Sequence, residues 1–362
     1  MNNATLVLHR LGQRLWLDDI TRTLMRSGTV ARYIRDLSVT GLTSNPTIFE
    51  HAIGTGHSYD SRIRALSWNG LSDEELFFDL ALEDLTEAAD LFRPAFDASR
   101  GLDGWVSLEV SPLLAGNAAR TIQAANRLHA KAGKANLFIK IPATPQGNEA
   151  IEEVIFDGVP VNVTLLFSPE QTMAAAEAYL RGIERRLAAG RDANVASVLS
   201  LFVSRWDVAV NEEVAPPLRN RLGIAMAMRT YKAHGELLAS ERWRRLAAAG
   251  ARPPRLLWAS TGTKDRSAPD TLYVQALAAP GTINTLPEKT LLAFADHGHV
   301  ERALPTDGGD ADATIEAFER EGIDVVALAA RLQREGVDAF SNSWHALLTR
   351  IREKCTAPTE QA

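Results

Sequence analysis

Residues 136–144 read NLFIKIPAT, and Lys140 stands where a strand calls for Val or Ile. An unpaired buried ammonium is costly or surrenders its proton. Two readings are open. Lys140 ends a strand, its stem covering apolar surface while its head reaches water, or it is an amine kept from water for its reactivity, able once neutral to attack a carbonyl.

Neighbouring strands bear on that choice, because side chains alternate between the two faces of a strand. In NLFIK, Asn136, Phe138 and Lys140 oppose Leu137 and Ile139. Trp105, Ser107 and Glu109 oppose Val106, Leu108 and Val110 in WVSLEV, and in VNVTLLF Asn162 and Thr164 oppose Val161, Val163 and Leu165. The same rule groups Asp18 with Trp16, Ser200 with Val198 and Ser260 with Trp258. Taken singly, each polar residue is equally a strand-end group bonded to a loop. Together they describe six strands whose C-terminal ends turn polar groups to one side. A lysine nucleophile, with Asp18, Glu109 and Thr164 to move protons, is the constellation of a Schiff-base aldolase. Of the adjacent aspartates only one can face the axis. Sharing a face with Trp16 selects Asp18, which leaves Asp19 to N-cap the helix beginning ITRTLM.

Eight short apolar runs must carry these groups: RLWLD (14–18), SVTGLTS (38–44), WVSLEV (105–110), NLFIKIP (136–142), PVNVTLLF (160–167), VASVLSLFV (195–203), RLLWAST (255–261) and TINTL (282–286). They alternate with longer helical patterns, which predicts an α/β fold, a (β/α)8 TIM barrel whose active-site mouth lies at the strand C-terminal ends. One domain is expected over residues 1–362, with a helical insertion at about 51–103 and a C-terminal helical region at about 287–362. A capping box at Ser72 and Glu75 opens the long helix of the insertion.

Composition narrows the function classes. The formal charge of -6 disfavours a general polyanion binder, so neither nucleic acid nor membrane is an expected partner and any phosphate site must be local. Cys355 is the only cysteine, which precludes an intrachain disulfide and favours a reducing compartment. With neither a leader-like start nor a long apolar stretch, the expected location is cytoplasmic. The eight histidines offer no metal-ligand spacing, the HGH at 297–299 reads as a solvated pair, and no GxGxxG follows a strand. No metal and no cofactor is therefore expected.

The motifs WLDD, GLTSNPTIF, SLEVSP, NLFIKIPAT, VNVTLLFS, VLSLFVSRWD and WASTGTK follow one another from the first strand to the seventh. In them the chain resembles transaldolase, in its longer bacterial form, within the Schiff-base class I aldolase superfamily. The resemblance implies transfer of a dihydroxyacetone unit between sugar phosphates in the non-oxidative pentose phosphate pathway. It implies Lys140 as the Schiff-base nucleophile, Asp18 as general base, and Glu109 with Thr164 as holders of a catalytic water. Asn45, Asn162, Ser200 and Thr43 match contacts to substrate hydroxyls; Arg205, Ser260 and Lys264 match the phosphate end. The alternatives are a fructose 6-phosphate aldolase, which releases free dihydroxyacetone and has tyrosine where this chain has Glu109, and an inactive barrel serving as a binding protein. Monomer and homodimer both remain open.

Overall fold

Eight parallel strands close on themselves in chain order in the computed structural model, which describes residues 3–68 and 70–356. They are β1 (Arg14–Leu17), β2 (Val39–Leu42), β3 (Val106–Glu109), β4 (Leu137–Pro142), β5 (Val161–Leu166), β6 (Ser197–Phe202), β7 (Arg255–Ala259) and β8 (Ile283–Leu286). Each falls inside its predicted run, and β1 pairs with β8 to complete a (β/α)8 barrel. Runs of Val, Ile and Leu give strands buried on both faces, as a parallel sheet wrapped in helices requires.

Three strand-to-helix turns use one device, a capping side chain followed by proline. Asn45, Thr144 and Ser168 accept from the backbone N–H of Ile48, Gly147 and Gln171 at 3.0, 2.9 and 3.2 Å, ahead of Pro46, Pro145 and Pro169. Proline suits the first helical position because its missing N–H would have no partner there. These turns fix where β2, β4 and β5 stop, and hence the rim of the mouth.

Large rings fill the lower barrel. Trp105 stacks on Phe138 at 4.1 Å between centroids, Trp16 lies 6.3 Å from Phe138, and Trp16 Nε1 donates to Asp103 at 2.9 Å. Gly41 on β2 makes room for this plug, since a Cβ there would come within 2.6 Å of the Trp16 indole.

Between β2 and β3 the chain forms helices Pro46–Gly54, Asp60–Ser67 and Asp73–Ala98. The last carries the expected capping box, with Ser72 N donating to Glu75 Oε2 at 2.9 Å. A buried Arg22–Asp84 ion pair of 2.8 Å ties it to the segment after β1. Beyond β8 come Glu288–His297, Ala311–Arg320 and the long helix Val325–Thr356. That long helix crosses the barrel mouth: Gln333 Nε2 donates to the carbonyls of Ala143 and Leu165, each at 3.0 Å, at the ends of β4 and β5. No helix among the described residues is long and apolar enough to cross a membrane.

Three local expectations are corrected. Ser260 does not share a face with Trp258: Leu257 and Ala259 border the cleft at the barrel mouth, Trp258 packs outward with its ring 6.4 Å from that of Tyr231, and Ser260 reaches the cleft because its φ of +55° breaks the alternation. Asp19 does not cap a helix. The chain stays extended past Ile20, and Thr21 caps Arg22–Arg26 by accepting from Leu24 N at 3.0 Å. Alternation along β5 also breaks after Thr164, because Leu165 adopts φ +59° at an irregularity in the β5–β6 pairing. Its side chain turns to Gly336 of the long C-terminal helix instead of the outer ring.

Candidate active site

Register sets the centre. Glu109 on β3 is level with Lys140 on β4, and Lys140 with Asn162 on β5. Lys140 is 5% exposed, so its amine is inside the barrel and not at a wet strand end. Nζ donates to Ser44 O at 3.2 Å and lies 3.1 Å from Glu109 Oε2. The latter contact is close but off the line of a hydrogen bond, so both Glu109 oxygens, and Thr164 Oγ1, have no hydrogen-bond partner among the described residues. Burial pushes the Glu109 carboxyl above its usual range, against the pull of the Lys140 charge. Unpartnered buried polar atoms are rare in folded proteins, and a carboxyl against the Lys140 amine together with a hydroxyl bordering the same cleft marks a place built for chemistry.

Above this layer opens a cleft of about 230 Å³ bordered by Asp18, Thr43, Asn45, Lys140, Thr164, Ser200, Arg205, Ser260 and Lys264. Nine of the eleven sequence-predicted residues thus meet at one mouth; Glu109 and Asn162 lie just beneath it. Thr43 Oγ1 donates to Asp18 Oδ1 at 2.7 Å and is 2.6 Å from Thr285 Oγ1. Burial raises the Asp18 carboxyl, partly offset by Lys140, the Thr43 hydrogen bond and Lys264. Asp19, a residue further on, is raised to about 6 by burial and by Glu288 and Asp18.

Hydroxyl and amide groups form a short chain across the strands. Ser200 Oγ donates to Asn162 Oδ1 at 2.7 Å, and Asn162 Nδ2 donates to Ser107 Oγ at 3.1 Å. Both ends of the Asn162 amide are engaged, so it orients Ser200 from below without bordering the cleft. Asn45 has its carbonyl taken by the helix cap, which leaves its Nδ2 donors for the cleft.

The other end of the cleft is cationic. Arg205, on the short helix Ser204–Val210, is half-buried, and its guanidinium has no hydrogen bond or ion pair among the described residues. It lies 5.1 Å from the centroid of Phe202 and 5.9 Å from that of Phe340, contacts of about 0.5–1 kcal/mol each. Burial lowers its proton affinity, countered by Glu335 and Glu109. Beside it Ser260 adopts φ +55°, and its Oγ is 2.9 Å from Ser204 Oγ. A serine held in the left-handed region is a strained placement, of the kind that accumulates at ligand sites. Lys264 is exposed at the rim. An arginine with all its donors free suits the paired bonds of a phosphate.

A family model described as Transaldolase/Fructose-6-phosphate aldolase matches residues 15–351. A transaldolase of Parafrankia sp. (strain EAN1pec) is 46% identical over 356 residues, covering 96% of both chains. Those of Thermobifida fusca (strain YX) and Thiobacillus denitrificans are 44% and 43% identical over 357 residues, covering 96% of this chain and 97% and 99% of theirs. The chain belongs to the transaldolase/fructose-6-phosphate aldolase family. It is therefore an enzyme, and the cleft at its barrel mouth is bordered by the ionisable groups Asp18, Lys140, Arg205 and Lys264.

Several residues of the family member's cleft were missed by the reading of its sequence. Thr285, on the inner face of β8, obeys the alternation rule applied to the other strands and could have been found by it. Phe202 ends β6 as one apolar residue among others. Phe340 comes from the long C-terminal helix, its ring 5.5 Å from Lys140 Nζ. The only signal for it is a glycine, Gly336, one turn earlier inside a helix, where glycine is otherwise unfavourable. The HGH pair is solvent-exposed, with His297 paired to Asp270 and Asp296.

Proposed function

We propose that the enzyme transfers a dihydroxyacetone unit from a ketose phosphate, sedoheptulose 7-phosphate or fructose 6-phosphate, to an aldose phosphate, glyceraldehyde 3-phosphate or erythrose 4-phosphate. Lys140 in its neutral form adds to the C2 ketone. Loss of water gives an iminium that accepts electrons from the breaking C3–C4 bond. Asp18 takes the C4 hydroxyl proton, and burial, by raising its proton affinity, makes it a stronger base than a solvated carboxylate. The aldose phosphate departs, a three-carbon enamine stays on Lys140, and an acceptor aldehyde takes it up.

Glu109 and Thr164 serve the water that is lost and regained at the Schiff base. Their unused hydrogen-bonding capacity supports this role, as does the raised Glu109 carboxyl, which can hold a proton to give. Arg205, Ser260 and Lys264 receive the phosphate. Ser200, Asn45 and Thr43 meet the substrate's oxygens, and Asn162 steadies Ser200. The single cysteine supports a cytoplasmic setting.

One observation carries the reading: an amine inside a closed barrel, 3.1 Å from a carboxylate and bordering the same cleft as Asp18. Borohydride added with fructose 6-phosphate is expected to fix a three-carbon adduct on Lys140, located by peptide mass spectrometry. Label at another residue, or none, would remove the mechanism. Free dihydroxyacetone released as fast without an acceptor as with one would instead make the protein a hydrolytic aldolase.

A further inference from the structure

Arg205 has no polar partner to fix its direction, so packing must do it. Two aromatic faces and one patch of backbone are in contact with the guanidinium. The rings are Phe202 and Phe340. The backbone is that of Gly336, where a Cβ would come 3.3 Å from Arg205 Nη1 and 2.8 Å from Leu165 Cδ2. Gly336 and Phe340 are four residues apart and share a face of the long C-terminal helix. That face is fastened to the barrel along its length. Gln333 holds the ends of β4 and β5, Ser343 Oγ is 2.8 Å from Thr47 Oγ1, and the Trp344 ring packs edge-on against Phe77 at 5.0 Å.

We propose that Gly336 and Phe340 are positioning residues that aim Arg205 at the substrate phosphate, and thereby set the enzyme's preference for phosphorylated over unphosphorylated sugars. The inference rests on the transfer reading above and assigns a specificity determinant within the same cleft. A long arginine loses much rotamer freedom when it is fixed on a ligand. Confining it beforehand lowers that cost, and only ligands that use the guanidinium gain. Leucine at 340 keeps an apolar side chain but has no ring face to hold a cation. A methyl group at 336 would meet Leu165 Cδ2 at 2.8 Å and Arg205 Nη1 at 3.3 Å, so it pushes the leucine side chain aside and crowds the guanidinium out of its seat.

The test compares glyceraldehyde 3-phosphate with glyceraldehyde as acceptors, with sedoheptulose 7-phosphate as donor, so that erythrose 4-phosphate leaves and net transfer is measured with either acceptor. In a double-displacement reaction the acceptor meets an enzyme already carrying the three-carbon unit, so its kcat/KM is independent of the donor step. Gly336→Ala and Phe340→Leu are each expected to lower the phosphorylated-to-unphosphorylated ratio of kcat/KM about tenfold, chiefly through KM for the phosphorylated acceptor. Phe340→Tyr, which keeps the ring, should hold the ratio within about twofold of wild type. A merely structural role would depress both acceptors equally and leave the ratio unmoved; that result in both variants overturns the proposal, as does an unchanged KM for glyceraldehyde 3-phosphate. Should one variant fail to fold, as judged by its circular dichroism, the ratio in the other decides. Wild-type protein that transfers to neither acceptor would mark instead the failure of the underlying functional reading.

Discussion

On β4, Phe138 and Lys140 both point into the barrel, two residues apart, yet they enter different media. Phe138 is stacked on Trp105 and flanked by Trp16. Lys140 has one carbonyl and an off-line carboxylate. The same step recurs on β1 from Trp16 to Asp18 and on β3 from Trp105 to Glu109 by way of Ser107. The lower interior is packed, and its indole N–H groups are bonded. The upper interior holds buried ionisable groups with unused hydrogen-bonding capacity. The first layer provides stability and rigidity, and the second gives stability up in exchange for groups free to react.

Four substitutions test whether the layers are separable. The largest effect is expected for Lys140→Ala, which should cut transfer by at least about 10⁴-fold, because the covalent route is lost, while circular dichroism keeps the barrel signature. Measured turnover near wild type would exclude Lys140 as nucleophile.

In the lower layer, Phe138→Ala should cost about 3–5 kcal/mol of stability in urea denaturation. Activity per folded molecule should change little, and a selective loss of kcat would show that the layers are coupled.

Glu109→Gln should slow turnover by about 10²–10³-fold and also alter the response of stability to pH. A carboxyl whose proton affinity is higher in the folded than in the unfolded state adds stability below its ordinary pKa of 4.5, and that contribution is lost as pH rises through the raised value. Wild type should therefore lose stability relative to Glu109→Gln as pH climbs from about 4.5, and parallel curves would contradict the burial argument.

The smallest effect is expected for Trp16→Phe. It keeps a ring but forfeits the bond to Asp103, for about 1–2 kcal/mol of stability and no change in KM.

Much of this division is written in the chain. Strands of Val, Ile and Leu declare themselves because a parallel barrel buries both faces, and polar residues at every second position near strand ends stand out against that background. What escaped is set by contacts distant in sequence. Phe340 belongs to the cleft because its helix lies across the mouth, which no local pattern states. The positive φ of Leu165 and Ser260 cannot be read from residues that ordinarily avoid it. Asp19 looked like a cap because it precedes a helical pattern, but the chain runs extended for two more residues before the helix begins.

Closure between the first and last strands shapes how the molecule comes to exist. Gln13 bonds Thr282 across 269 residues of chain, and Arg14 pairs with Ile283. Contacts so far apart in sequence are slow to form. Until they do, β1 and β8 are open edges able to pair with another chain, so assembly is the stage at which aggregation threatens. Asp18 rides on the first of these strands and Thr285 on the last, so the proton-accepting corner of the cleft is completed only when the ring shuts.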